Sequence, residues 1–503
     1  MALLLLQEKM LPLAVALEFL MSISTSAPVA LRSFDSLPGP LGVPFFGNLL
    51  QIKADRLHLQ LEHWCEVHGT VFRLRLGPRR VVVLGDHELI ASALRDRPDG
   101  FRRTTKLEQV WTEMGMLGGL FGANGDVWRR QRRMVMASFD PGHVRRFYPS
   151  LQKVSERLVA RWQGAARSGS IIDLQADLMR FTVDAVAGLA FGADVNTLQS
   201  DEDVIQKHLS RIFPALFNRI FAPLPIWRWL PSASDRELRR SVVAVNAAVD
   251  GFIAQARQRL EAEPALRQNP RNLLEAMLVA ADEPDSGIDD KQVAGNVLVM
   301  LLAGEDTTAN TLAWMVWLLS RHPEALALAR DEVRGICKGN TPTMEELAQL
   351  EYVEAVAHEA MRLKPVAPQN GMEALRDTVL GDVKIEAGMV VIAVMRRDAV
   401  NERLITDAAN FTPERWLNEG SAAASSAKRI SMPFGAGPRI CPGRFLALLE
   451  IKLAMAVLLA HFDIIEVNTP DGGEPRELLQ LAMGPVGLKM RLRERVAPAE
   501  TLT

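Results

Sequence analysis

The stretch Phe434-Gly-Ala-Gly-Pro-Arg-Ile-Cys441-Pro-Gly-Arg444 decides how the rest of the chain is read. It places a cysteine at the end of a glycine- and proline-rich loop, directly before an apolar run from Phe445 to His461 that reads as helix. Gly435, Gly437 and Gly443 let backbone approach a flat object closely. Pro442 suits a helix start, where no donor N–H is needed. The helix N-terminus offers free N–H groups and a positive dipole end, and both favour a sulfur anion. Arg439, two residues upstream, is placed to reach a carboxylate beside a metal. The plainer alternative is a buried cysteine in a loop-to-helix turn, because free cysteine is commonly a small hydrophobe. The full spacing Phe-x-x-Gly-x-Arg-x-Cys-x-Gly is far more demanding than that alternative requires.

Arg444 sits too close to Cys441 for a tyrosine-phosphatase-type loop, and no nearby Cys or His completes a zinc site. The stretch resembles the haem-binding loop of the cytochrome P450 family, and every defining position matches. The resemblance implies that Cys441 is the metal ligand, the axial thiolate of a haem b, which pushes electron density onto iron and favours O–O cleavage. It also implies that Phe434 packs near the ligand loop, that Gly435, Ile440 and Gly443 belong to the cofactor site, and that Arg439 pairs with a haem propionate.

A second signature lies in the nearly continuous apolar run Gln292 to Arg321. As helix it is roughly 45 Å long at 1.5 Å per residue, enough for a spine through a large domain. Its middle reads Ala303-Gly-Glu-Asp-Thr-Thr308. Carboxylates and hydroxyls in an apolar helix are costly without partners or a task, and Gly304 weakens the helix by about 1 kcal/mol. A flat cofactor beside Ala303 and Gly304, and a proton to deliver, would account for both. A kinked helix with back-bonded hydroxyls is the plain alternative. The family resemblance implies that Thr307 hydrogen-bonds the dioxygen being activated and that Asp306 gates protons from water toward it. Glu305 either assists them or faces solvent.

Trp128 and Arg132 are four apart, so they share a helical face. Indole and guanidinium together can donate to one carboxylate, and the position matches the family's propionate-binding helix. Arg129, Arg130 and Arg133 are left for a basic face, either solvated or docking an acidic electron donor. Glu359-Ala-Met-Arg362 and Arg415 correspond to the buried network that the family keeps behind the haem. The chain departs from pattern at Met372, where many relatives carry an arginine that reaches a propionate; Arg376 lies further on. A milder departure is Ala399 in Arg397-Asp398-Ala399.

The remaining signals are local. Pro38-Gly-Pro40 to Asn48 reads as a rigid non-helical segment. Leu57 to His68 reads as helix, Val71–Leu76 and Arg80–Leu84 as a hairpin about Gly77-Pro78, and Asp86 as a helix cap. Phe101 to Asn124 reads as loop-rich, with apolar Val110, Trp111, Met114, Met116, Leu117, Leu120 and Phe121; the family resemblance implies a roof over the substrate pocket, and a surface loop tucked onto the core is the plain alternative. Leu151 to Asn196 and Asp235 to about Glu261 read as helical, with a proline-punctuated link near Pro223, Trp227 and Trp229. Ala482 and Met483 sit at the tip of a hairpin, either touching substrate or forming a surface turn.

Forty-eight per cent hydrophobic residues over 503 positions support a large core. Lys and Arg number 58 against 60 Asp and Glu, a balance that gives no sign of a nucleic-acid partner. Three cysteines, Cys65, Cys337 and Cys441, argue against a disulfide framework. The apolar runs Leu3–Leu6 and Leu11–Met21 are too short to span a bilayer and lack a basic n-region. We therefore expect an N-terminal apolar segment over 1–37, in contact with the body or a membrane surface, and one catalytic domain over 38–503. The expected fold is mainly α with a smaller β portion. The expected protein is a cytoplasmic monomer, peripherally membrane-associated at most. The expected reaction is insertion of one oxygen atom from O2 into an apolar organic compound, a lipid, terpenoid, steroid, polyketide or aromatic. Electrons would come from a separate ferredoxin or flavoprotein reductase. A peroxide-driven or isomerising enzyme and a non-catalytic haem sensor are the rivals.

Overall fold

The computed structural model describes residues 30–495 apart from 117–118, 200–203, 223 and 418–421. The N-terminal runs 3–6 and 11–21, with Leu117 and Pro223, lie outside the described residues. The organising element is the central helix Asp290–Arg321, opened by a capping box in which Asp289 and Gln292 satisfy each other's backbone donors. Most of its C-terminal half is buried on all sides, which explains the lack of amphipathic alternation.

The central helix lies hard against helix Leu174–Val186. A Cβ added to Gly304 would stand 2.5 Å from the Val186 side chain. This glycine is therefore required by helix–helix approach, and not, as the sequence suggested, by a flat cofactor alone. Helix Arg444–His461, which follows the cysteine loop, packs against the central helix and against Pro141–Ser168. Its apolar character all round has the same cause, burial on every face.

A five-stranded sheet stands to one side in the order 71–76, 79–84, 390–394, 369–374, 101–102. The hairpin Val71–Leu76/Arg79–Leu84 is antiparallel, and its second strand runs parallel to Val390–Val394. The expected helix Leu57–His68 is found as read, and Asp86 accepts from the amides of Glu88 and Leu89 as its helix's cap. Two expectations change. Segment 101–124 is not simply loop, because Thr104 caps a helix Thr105–Glu113 and a short helical turn follows at Gly119–Gly122. The 151–196 stretch begins earlier and divides at Gly169, whose φ of 67° ends helix Pro141–Ser168. Among the described residues no helix is long and apolar enough to cross a membrane. The architecture is mainly helical with small sheets, as the sequence predicted.

Candidate active site

The cysteine loop faces the central helix across a largely apolar cavity. Val299, Met300, Ala303, Gly304, Thr307 and Thr308 line one wall, and Cys441, Pro442, Gly443, Leu446, Ala447 and Glu450 line the other. Val135 and Phe139 close one end, and Leu120 is the roof residue that reaches in. Trp111 instead lines a separate cleft with Gln131 and Gln292.

Backbone geometry sets the cysteine. Gly435 and Gly437 adopt φ of 75° and 68°, where other residues are strained. A Cβ on Gly437 would also lie 2.5 Å from the Leu94 carbonyl oxygen. The Cys441 amide donates to the Phe434 carbonyl at 2.9 Å, which closes the loop. Gly443 is different: its φ is −86° and it serves as the cap of the following helix. Burial pushes the Cys441 thiol up, while the Gly443 amide, Arg132 and Arg444 favour the thiolate. A half-buried sulfur of this kind ionises readily once a metal cation supplies the missing positive charge. Phe434, Gly435 and Ile440 line a groove on the loop's opposite side, with Trp416 and Arg444. Unlike Cys441, which is half-exposed, the other two thiols are buried, and burial pushes Cys65 to about 12 and Cys337 to about 11, so neither competes as a ligand.

Across the cavity the Thr307 hydroxyl donates to the Ala303 carbonyl at 2.7 Å. Its proton is engaged, so its lone pairs are what it offers to the cavity. Back-bonding of the hydroxyl, the plain alternative for this motif, is thus present and compatible with an acceptor role. Asp306 does not line the cavity. Its carboxylate accepts from Asn310 Nδ2 at 2.6 Å and from the Ala482 amide. Burial raises its pKa to about 6, against those two hydrogen bonds. Glu305 does not face solvent: it is buried, it does not line the cavity, and its carbonyl accepts from Thr182. The Ala482–Met483 tip is likewise buried, not a surface turn.

Three arginines come together here, Arg97 buried and Arg103 and Arg439 half-buried, with Trp128 beside Arg439. The Arg439 guanidinium lies 4.8 Å from the Trp128 ring centre and donates to the Ala123 carbonyl at 2.6 Å. Arg103 donates to the Phe121 carbonyl and to Asn370. Buried Nε and Nη2 of Arg97 and buried Nε of Arg439 have no hydrogen-bond partner. Burial, then mutual repulsion, pushes Arg97 down to about 8 and Arg439 to about 9. Burial pushes Arg103 to about 10. Buried cations without counter-charge mark the seat of an anion. Arg97 and Arg103 escaped the sequence reading because they belong to no motif; Arg97-Pro98 and the start of the roof helix give no local signal. The structure also answers the departure at Met372, which is wholly buried in the sheet's own core. Arg376 pairs with Asp96 at the surface and does not reach the cluster.

Behind the loop, Glu359 receives two bonds from Arg362, at 2.7 and 2.8 Å, one from Arg415 at 3.0 Å and one from Trp416 at 2.8 Å. This is the network expected from Glu359, Arg362 and Arg415.

An apolar slot lined by one cysteine sulfur, with a cluster of arginines lacking counter-charge that includes Arg439 of the same loop, fits a flat metal macrocycle bearing carboxylates. Among the described residues no group of three or more His, Cys, Asp or Glu could hold a metal by itself. The Cytochrome P450 family model matches residues 37–491. The chain is 25% identical to the protein LUTEIN DEFICIENT 5, chloroplastic, of Arabidopsis thaliana, over 90% of this chain and 77% of that one. It is 28% identical to a cyclooctat-9-en-7-ol 5-monooxygenase of Streptomyces melanosporofaciens, over 87% and 91%. It is 27% identical to a carotene epsilon-monooxygenase, chloroplastic, of Arabidopsis thaliana, over 84% and 80%. Cavity, thiolate loop and family match agree: this chain belongs to the cytochrome P450 family and is an oxygen-incorporating oxidoreductase with a haem-thiolate cofactor.

Proposed function

We propose that the chain carries haem b and inserts one atom of dioxygen into an apolar substrate of terpenoid type, drawing electrons from a separate protein. The observation that carries this reading is the placement of Cys441 and Thr307 on opposite walls of one apolar cavity. Haem, when bound, supplies the iron that activates dioxygen. The balanced reaction consumes O2, two electrons and two protons, forms one C–O bond in place of C–H, and releases water.

The chain's own residues do the rest. Cys441 would hold the iron through sulfur, and Arg97, Arg103, Arg439 and Trp128 would seat the propionates, with Arg132 near the sulfur. Val299, Met300, Ala303 and Leu120 present apolar surface to the substrate and exclude water. Thr307 Oγ1, whose proton is given to the Ala303 carbonyl, would offer the cavity a hydrogen-bond acceptor. Asp306, with its pKa near 6, is suited to carry protons from the solvent side toward Thr307. Similarity to a cyclooctat-9-en-7-ol 5-monooxygenase and a carotene epsilon-monooxygenase supports an apolar substrate of that class.

The test is the carbon monoxide difference spectrum of the reduced holoprotein, followed by spin-shift titration with terpenoids. A red-shifted Soret band of thiolate ligation is expected, with a spin shift and oxygenated product. A band of histidine or neutral-thiol ligation in freshly folded protein would remove Cys441 as ligand and overturn the reading.

A further inference from the structure

Asp306 lies on the side of the central helix turned to a small hairpin, Glu477–Leu479 paired with Met483–Pro485. Its partner Asn310 is held from several directions. Asn310 Nδ2 donates to the Asp306 carbonyl at 2.8 Å and to its carboxylate at 2.6 Å. Gln175 Nε2 donates to Asn310 Oδ1 at 3.2 Å, which fixes which end of the amide faces the acid. Gly484 closes the back: a Cβ there would lie 2.1 Å from Asn310 Oδ1. Its φ is not positive, so the glycine answers to this contact and not to backbone strain. The second donor to the carboxylate, the Ala482 amide, comes from the same hairpin.

We propose that Asn310, oriented by Gln175 and backed by Gly484, is a positioning residue that docks the Asp306 carboxylate against the Ala482 amide and thereby times proton delivery to Thr307. The proposal rests on the proton-carrier reading of Asp306 given above. Both clamp bonds are donated to the acid. They are strong while it is ionised and lose their charge assistance when it takes a proton. Proton uptake therefore loosens the clamp. The neutral acid leaves the hairpin side, gives its proton toward Thr307, and re-docks as carboxylate. Neither Asn310 nor Gln175 lines the cavity, so both act through Asp306 and not on substrate.

The test uses the reconstituted holoenzyme with its reductase and a turned-over terpenoid. It compares wild type, Asp306→Asn, Asn310→Ala, Gln175→Leu and Gly484→Ala at matched haem content. The readouts are product per reductant consumed, hydrogen peroxide released, the solvent isotope effect, and peroxide-supported turnover. We expect Asn310→Ala and Gly484→Ala to lower product per reductant by about tenfold, in the range that loss of positioning costs. Peroxide release should rise, the solvent isotope effect should change, and peroxide-supported turnover, which brings its own protons, should hold. Gln175→Leu leaves Asn310 in place and should shift the same readouts by less; it keeps the test valid if the other variants fold poorly. Difference infrared against Asp306→Asn adds a readout independent of turnover: the Asp306 carboxyl should titrate higher in Asn310→Ala. If Asp306→Asn uncouples while the clamp variants stay coupled with an unmoved carboxyl, Asn310 is only packing and the proposal falls. If Asp306→Asn is itself fully coupled, the proton-carrier reading falls and takes this proposal with it.

Discussion

Glu359 and Arg97 are both buried charges within the same fold, yet their surroundings are opposite. Around Glu359 the account is complete. Arg362 has five N–H donors, and they make five hydrogen bonds: two to Glu359 and one each to the carbonyls of Ala399, Ala408 and Asn410. Burial pushes the Glu359 carboxyl up, but Arg362 and Arg415 hold it below its ordinary value. Around Arg97 the account is open, with two buried nitrogens unpartnered and two further arginines nearby. A chain gains nothing for its own stability from such a cluster. Satisfied charge is scaffold, and unsatisfied charge of one sign is a seat kept for a guest.

The largest effect tests the closed network. Glu359→Ala leaves Arg362 and Arg415 buried without counter-charge, and we expect a loss of about 3–5 kcal/mol. Urea unfolding of the holoprotein measures it, and an unchanged midpoint would show that the network is not structural. The next effect has opposite signs in two states. Arg97→Met removes a repelling cation from the apoprotein, so the apoprotein should melt higher. The same change removes a propionate partner, so haem should be lost to apomyoglobin about 10- to 100-fold faster, the range of one or two lost charge-assisted bonds. A variant that melts lower in the apo state would mean that Arg97 serves packing.

The contrast also explains what was legible in the sequence. The loop around Cys441 and the central helix were readable because each is carried by residues close in sequence at fixed spacing, and the Glu359 network because Glu359, Arg362 and Arg415 match a pattern the family keeps. The Arg97, Arg103 and Arg439 cluster was only one-third readable. It is assembled from three separate segments, and burial without a partner cannot be seen in one dimension. The same limit hid two packing roles. Gly304 lines the cavity but must also leave room for Val186, and Met372, which looked like a missing cofactor contact, fills the sheet's core. The roof was read as loop because its glycines outweighed the helical run Thr105–Glu113, which Thr104 caps.

Glu450 extends the contrast to an acid. It lies on the cavity wall, takes a hydrogen bond from Thr308, and burial raises its pKa from 4.5 to about 8. The native state therefore keeps this proton at pH values where the unfolded chain has released it. The unfolded chain binds fewer protons, so stability falls as pH rises from 4.5 toward 8. Glu450→Gln keeps a neutral hydrogen-bonding group and should remove that slope, with little gain near pH 4.5 and about 3 kcal/mol near neutrality. Parallel melting curves of wild type and variant across that range check it; a gap that does not widen with pH would mean the acid is ionised in the native protein.

The smallest expected effect is the sharpest control on the arginine cluster. Arg376 is the cation that follows Met372 in sequence, where a propionate partner would be sought. The structure turns it outward onto Asp96, at 2.9 Å, with the arginine side chain 54% exposed. A pair in that setting is screened by water and contributes about 0–1 kcal/mol. Arg376→Ala should therefore leave the rate of haem transfer to apomyoglobin within about twofold of wild type, the size of a change well under 1.4 kcal/mol. Arg97→Met, measured in the same assay, should lose haem at least about fivefold faster than Arg376→Ala. If the two variants lost haem equally fast, burial without a partner would no longer distinguish the propionate seat, and sequence position after the proline turn would be the better guide.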